Sequence, residues 1–417
     1  MLRAFLADTM TGLVGEPIDV PGCSWTVTVN SCTLNTTRGT VAGDEEMTGL
    51  TLPWSCVPGK DGPAKARALA PLRRSLLLCW ESDDSMLPVL VGAIGNRTDG
   101  WLDTRFDLVS TLELLSYRVL CQEGAFGADV TTSQTSSGAT VTTKATHGGY
   151  QYQNLSQRAI ACAVVRECTK GKPGGTLPID LPYLGEECVH YAADGTPNQN
   201  FWRSYPNHNV ANDSAKDIIE KLCSTSYGPD IQLRPYMADG THYRLRLEAG
   251  SDWEPCLGQS GLVRTLACFP GGGSLQDVRV SHDFPAQRVY QTGSGQDEAM
   301  NCHLSEDLSL VTQADPWPLV EIVRQDTNLS GSSIAAHADA TLAAKSRPIM
   351  QVEGYVDAND PHAFAPGEVW PGELVDVSID GFPSVPDGTY RMRLMEMSGD
   401  QSSRVKLTFD LMEDPLW

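Results

Sequence analysis

The stretch "TYRMRLMEMSGDQSSRVKLTFDL" near the end of the chain constrains its fold more than any other. Two runs alternate apolar and polar residues across a Ser- and Gly-containing turn. Tyr390, Met392 and Leu394 fall on one side of the first run; Val405, Leu407, Phe409 and Leu411 fall on one side of the second. Side chains alternate across a strand, so the pattern predicts a half-buried hairpin. Its outer face carries Arg391, Arg393, Arg404, Lys406 and Asp410. These four basic residues are candidates for contact with an acidic partner or a neighbouring subunit; the alternative is a solvated sheet face.

The same reading extends over the whole chain of 417 residues, which is long enough for two to four domains. Residues 1–122 are β-rich. "CSWTVTVNSC" alternates Trp25, Val27 and Val29 against Thr26 and Thr28. "RSLLLCWESDDSMLPVLVGAI" reads as a hairpin turning at Glu81 to Ser85. Ser110 and Glu113 have capping-box spacing and open a short helix. Residues 123–149, rich in Ser, Thr and Gly, form a surface loop or a long hairpin.

Residues 150–240 read as a mixed α/β domain. In "NLSQRAIACAVVREC", Ile160, Ala161, Val164, Val165 and Cys168 have helical spacing, and the helix stops at Gly171 and Pro173. A second helix has Asp213 or Ser214 as its cap and Ile218, Ile219 and Leu222 as its buried stripe. Residues 241–340 are a β-rich segment with a closing helix that holds Ile334, Ala338, Leu342 and Lys345 in register and ends at Pro348. Residues 341–417 return to β structure. The fold class is α+β, predominantly β.

The formal charge of −21 argues against phosphate binding, which rests on Lys and Arg. No run approaches about eighteen apolar residues, so no membrane-spanning segment is expected. The opening "MLRAFLADTMTGLVGEP" is interrupted by Asp8 and reads as a first strand. The twelve cysteines include no C-x-x-C pair, which excludes the common zinc-ribbon and thioredoxin signatures. Cys162 with Cys168, or Cys23 with Cys32, could be oxidised, but buried free thiols are the expected state.

Catalytic motifs are missing from the sequence. Ser260 and Ser332 both miss the nucleophile-elbow pattern, and no H-E-x-x-H, P-loop or dinucleotide turn occurs. His282 with Asp283 and His362 with Asp360 read as solvated loop pairs. The five N-x-S/T sequons, at Asn35, Asn96, Asn154, Asn212 and Asn328, occur without a secretion signal. Neither catalysis, a cofactor nor a metal is expected.

The order of these segments resembles a family. "FLADTMTGLVGEPIDVPGCSWTVTVN", "PLRRSLLLCWESDDSMLPVLVGAIGNRTDG", "AKDIIEKLCSTSYGPDIQLRPY" and "HADATLAAKSRPIMQVEGYV" are similar to successive parts of minor tail proteins from siphophages of actinobacteria. So are "DPWPLVEIV" and the closing "VWPGELVDVSIDG" with the hairpin above. The resemblance implies a baseplate or tail-tip hub, similar to the hub-like part of tail-associated lysins. Its two tube-like β-barrels would be residues 1–122 and 341–417, with the mixed α/β part inserted between them. Such hubs are trimers, so that six barrels match a six-fold tail tube to a three-fold tip. The implied partners are further copies of the chain, the distal tail ring protein, the tape-measure protein and other tip or fibre proteins. DNA would pass without specific binding. The implied location is the virion tail tip, after assembly in the bacterial host cytoplasm. The competing classes are a secreted or virion-surface β-rich adhesin and a cell-wall hydrolase.

Overall fold

In the computed structural model, the described residues are all but 37–48, 83–84, 127–128, 135, 139, 146–147, 189–201, 226–227, 260, 262, 327–331 and 412–417. Ser260, Asn328 and the end of the hairpin beyond Leu411 therefore lie outside the description. Strand outweighs helix, 44% against 16%, so the fold is predominantly β. Among the described residues no helix is long and apolar enough to cross a membrane. The chain divides into two compact units. The first is Met1–Leu262, Asp357–Leu374 and Glu396–Lys406; the second is Val263–Val356, Val375–Met395 and Leu407–Trp417. Segment 341–417, expected as one terminal domain, thus contributes to both, and segment 241–340 is divided after Leu262.

The first unit is built on an antiparallel six-stranded sheet. Its order is Val14–Ile18, Leu2–Asp8, Arg74–Glu81, Met86–Asp99, Asp103–Ser110, Leu50–Pro53. Ser75 to Trp80 are all buried, so the middle strand is covered on both faces and reads as a continuous apolar run. On one face Ala7, Leu77, Cys79 and Val91 join a core with the helices Gln157–Cys168 and Ala215–Cys223. Tyr243, Leu245 and Leu247 complete that core from a three-stranded sheet of Ile179–Asp180, Tyr243–Ala249 and Ile231–Met237.

Gly12 lets two backbones meet: its φ is +76°, and an added Cβ would lie 2.1 Å from the Tyr243 carbonyl oxygen. Within the same unit Cys23–Thr28 pairs with Cys32–Thr36 and with residues Glu396 to Gly399. Trp25 is buried there, and its indole N–H donates to the Asp400 carbonyl at 3.1 Å.

Local signals hold. Ser156 caps the first helix by accepting from Ala159 N–H. Ser214, not Asp213, caps the second, accepting from Asp217 N–H at 3.1 Å. The Ser110 hydroxyl accepts from Glu113 N–H, opening the helix Thr111–Leu114. The reciprocal half of that capping box is not made; the Glu113 carboxylate accepts instead from Lys216 and from the Ser116 hydroxyl. The Ser/Thr/Gly-rich stretch is a hairpin of Asp129–Gln134 and Thr140–Ala145. No cysteine is disulfide-bonded, and Cys23, Cys79, Cys121, Cys162 and Cys168 are buried. Burial pushes the Cys162 thiol up to about 11 and the Cys168 thiol to about 12.

The second unit holds a sheet ordered Arg264–Cys268, Leu374–Ile379, Gly388–Gly399, Arg404–Leu411, Ile349–Asp357, Gln276–Asp283; several of these strands also lend residues to the first unit. Its inner face is Val352, Val356, Val375, Val377, Met392, Leu394, Leu407 and Phe409, all buried. The expected hairpin alternation is therefore present. The two edge strands approach at one end only, where Leu275 N–H donates to the Ala267 carbonyl at 2.9 Å. Neither large sheet closes as a ring of paired strands among the described residues, so the two expected tube-like barrels are not seen as closed barrels in the single chain. Closure needs a fixed stagger and a partner for both edges, and here the edges stay unpaired along most of their length. A three-stranded sheet, Cys302–Glu306, Arg288–Thr292, Glu321–Gln325, packs against the helix Ser332–Lys345.

Candidate assembly surface

The four basic residues of the closing hairpin are divided between the units. Arg391 and Arg393 belong to the second, Arg404 and Lys406 to the first. Arg391 is exposed and makes a bidentate pair with Asp376 on the next strand, at 2.9 and 3.1 Å. Hydrogen bonding to that carboxylate raises the Arg391 guanidinium above its usual range. Arg393 is half-buried, and its charge works against the upward push that burial gives the Asp410 carboxyl, while Asp283 adds to that push. Arg404 is exposed and Lys406 half-buried. The outer face around Arg391 and Arg393 is therefore a ladder of mixed sign, with Arg279 also opposite Glu353 in the edge pair. Sequence spacing shows the basic residues but not the acids that neighbouring strands set beside them.

The second unit also exposes surface that sequence reasoning missed. Strand Gln276–Asp283 has no buried residue on either face, and Glu321–Gln325 has none either. In the three-stranded sheet, Leu304, Tyr290 and Val323 lie opposite one another. Val323 is 71% exposed and Leu304 41%. Beside this apolar row Arg288 bridges Glu306 at 2.9 Å and Glu321 at 3.3 Å, and the Tyr290 hydroxyl donates to Glu321. The bonds to the two glutamates raise the Arg288 guanidinium. This face thus sets an apolar row beside charged pairs.

Three solved structures are similar along most of their length. The tail protein from Neisseria meningitidis MC58 has a TM-score of 0.46 at 10% identity, covering 100% of this chain and 97% of that one. The 43 kDa tail protein of prophage MuSo2 from Shewanella oneidensis has a TM-score of 0.42 at 10% identity, covering 99% and 98%. Prophage tail protein gp18 from Listeria monocytogenes EGD-e has a TM-score of 0.38 at 10% identity, covering 98% and 94%. No family model matches the sequence, and no curated protein matches it.

Among the described residues no three His, Cys, Asp or Glu side chains are grouped to hold a metal ion. His282 is exposed on its edge strand, and the backbone N–H of His362 donates to Asp360 at 2.9 Å. Ser332 begins a helix.

Proposed function

We propose that the chain is a structural protein of a phage tail tip: the trimeric hub of a long non-contractile tail, adapting a six-fold tube to a three-fold end and bordering the DNA exit channel. One observation carries this reading. The second unit keeps strands with neither face buried and leaves both edges of its large sheet open. Open edges recruit other chains, and the Gln276–Asp283 edge is guarded only in part, by a register shift between Gln276 and Arg279 and by Asp277, Arg279 and Asp283. In a ring the recruitment is the purpose, and neighbouring copies complete what one chain leaves as an incomplete barrel. The segment-order resemblance points the same way.

On this reading Arg391, Arg393, Arg404 and Lys406 face a neighbouring copy, since cations in the lumen would hold DNA by its phosphates. The distal ring, the tape-measure protein and tip fibres are the other partners, and the chain has no catalytic role. Light scattering on the purified chain tests the core of this: a trimer supports it, and a monomer at every concentration overturns it. Replacing the four basic residues together by Ser is expected to weaken the trimer; unchanged assembly removes them from the interface. Electron microscopy with an antibody to the chain is expected to label the tail end.

A further inference from the structure

The turn that joins Met86–Asp99 to Asp103–Ser110 presents Trp101 fully exposed, at 100%, and Leu102 at 82%. Tryptophan carries the largest apolar area of any side chain and is rarely left wholly in water. This one is held out by a rigid support. The Trp54 indole N–H donates to the Gly100 carbonyl at 2.9 Å, and Trp54 N–H donates to the Leu102 carbonyl at 3.0 Å. Across the turn Gly100 N–H donates to the Asp103 carbonyl at 2.8 Å. Below it Arg97 pairs with Asp99 at 2.9 Å, and the buried Thr104 hydroxyl donates to Asp99 at 2.7 Å. The cost of ordering the tip is therefore met before any partner arrives, which is what a binding anchor requires.

We propose that the Trp101–Leu102 tip is an anchor that docks into a second copy of this chain, an inference that rests on the trimeric reading above. Charge selects the occupant. The short helix Gly62–Ala68 is tied to the base of the tip: Lys65 donates to the Trp54 carbonyl, and Arg97 donates to the Ala66 and Leu69 carbonyls at 3.0 Å. Residues 59–74 carry five basic residues, Lys60, Lys65, Arg67, Arg73 and Arg74, against the single acid Asp61; Arg74 is taken up by Asp8 at 3.1 Å and Lys65 by the Trp54 carbonyl, which leaves Lys60, Arg67 and Arg73 for a partner. Lys60 and Arg67 are exposed. In a chain of net charge −21, this is a basic island beside an apolar tip, and another copy offers the acidic surface that matches it. A lipid surface fits less well, because two apolar side chains bury far less area than stable membrane anchoring takes. A tip that meets a different patch on the next copy makes a head-to-tail contact, the kind that closes rings.

The experiment compares the full chain with its Trp101→Ser/Leu102→Ser variant by sedimentation equilibrium, with thermal unfolding alongside. The expected result is a trimer for the parent and association weakened at least about 30-fold in the variant, with unchanged melting. A Lys60→Glu/Arg67→Glu variant should also associate more weakly, with a flatter salt dependence. A variant tip that trimerises like the parent overturns the anchor and leaves the trimer standing. A parent that is monomeric throughout overturns the trimeric reading itself. Trp101-dependent flotation with vesicles of phosphatidylcholine and phosphatidylglycerol, with trimerisation unaffected, overturns the proposal in favour of lipid.

Discussion

The two units solve the same packing problem to different degrees. The first sandwiches the strand Arg74–Glu81 so that Ser75 through Trp80 are all buried, and its helices Gln157–Cys168 and Ala215–Cys223 share one core with it. The second has a buried inner face on its large sheet, but Gln276–Asp283 and Glu321–Gln325 contain no fully buried residue. Buried apolar area is the main source of folding free energy. The first unit therefore draws this free energy from most of its sheet and helices, whereas these two strands of the second contribute little of it.

The contrast is sharpest in the cores. Ile160→Ala, in the buried helix of the first unit, should cost about 2–5 kcal/mol in urea unfolding. Val323→Ser, on the open sheet of the second, should stay within about 0.5 kcal/mol for the single chain. Equal losses at the two sites would erase the distinction. Hydrogen exchange reads it directly. Amides of Gln276–Asp283 should exchange well before those of Arg74–Glu81 in the monomer, and slow down on assembly. Exchange equally slow in both strands would break the comparison.

A smaller effect, within the first unit, depends on pH. Burial raises the Asp213 carboxyl above its ordinary range, and Asp213 Oδ2 has no hydrogen-bond partner. A raised acid favours the fold fully below the unfolded value, and that contribution is lost as pH rises through the folded value. Asp213→Asn should thus be more stable than the parent at neutral pH, the gain shrinking as pH falls through the folded value and gone below about pH 4. Glu186 is the opposite case. Its pair with Arg158 holds it low, so its contribution is present at neutral pH and lost as pH falls through the folded value. Glu186→Gln should flatten the acid limb of the unfolding curve. Smallest of all, Arg391→Ser should leave the urea midpoint of the monomer nearly unchanged, because the Arg391 side chain is 52% exposed and a pair so solvated is worth little.

How legible these features are depends on the range of the forces behind them. Helix starts at Ser110 and Ser214 depend on bonds three residues away, and the sequence carries them; the like cap at Ser156 went unread. Alternation likewise marked Met392, Leu394, Val405, Leu407 and Phe409 as core. Strand order is a long-range property, and alternation alone did not show that neither large sheet closes on itself within the described residues. The partner of Arg391 sits fifteen positions away on another strand, with no spacing rule to announce it. Between Asp213 and Ser214 as caps, geometry decided, and the loser became a buried acid. Trp101 gave no signal because a tryptophan between two strands is ordinarily read as core.

The pairing of Cys23–Thr28 with Glu396 to Gly399 bears on how the protein is made. Trp25 meets its hydrogen-bond partner 375 residues later in the chain. At ordinary ribosomal speeds that separates the two by roughly 20 to 75 s. During this interval a strand carrying Trp25 and Val27 has no permanent neighbour on that side. Growing chains that stop short of Glu396 should therefore be the ones that aggregate or occupy chaperones.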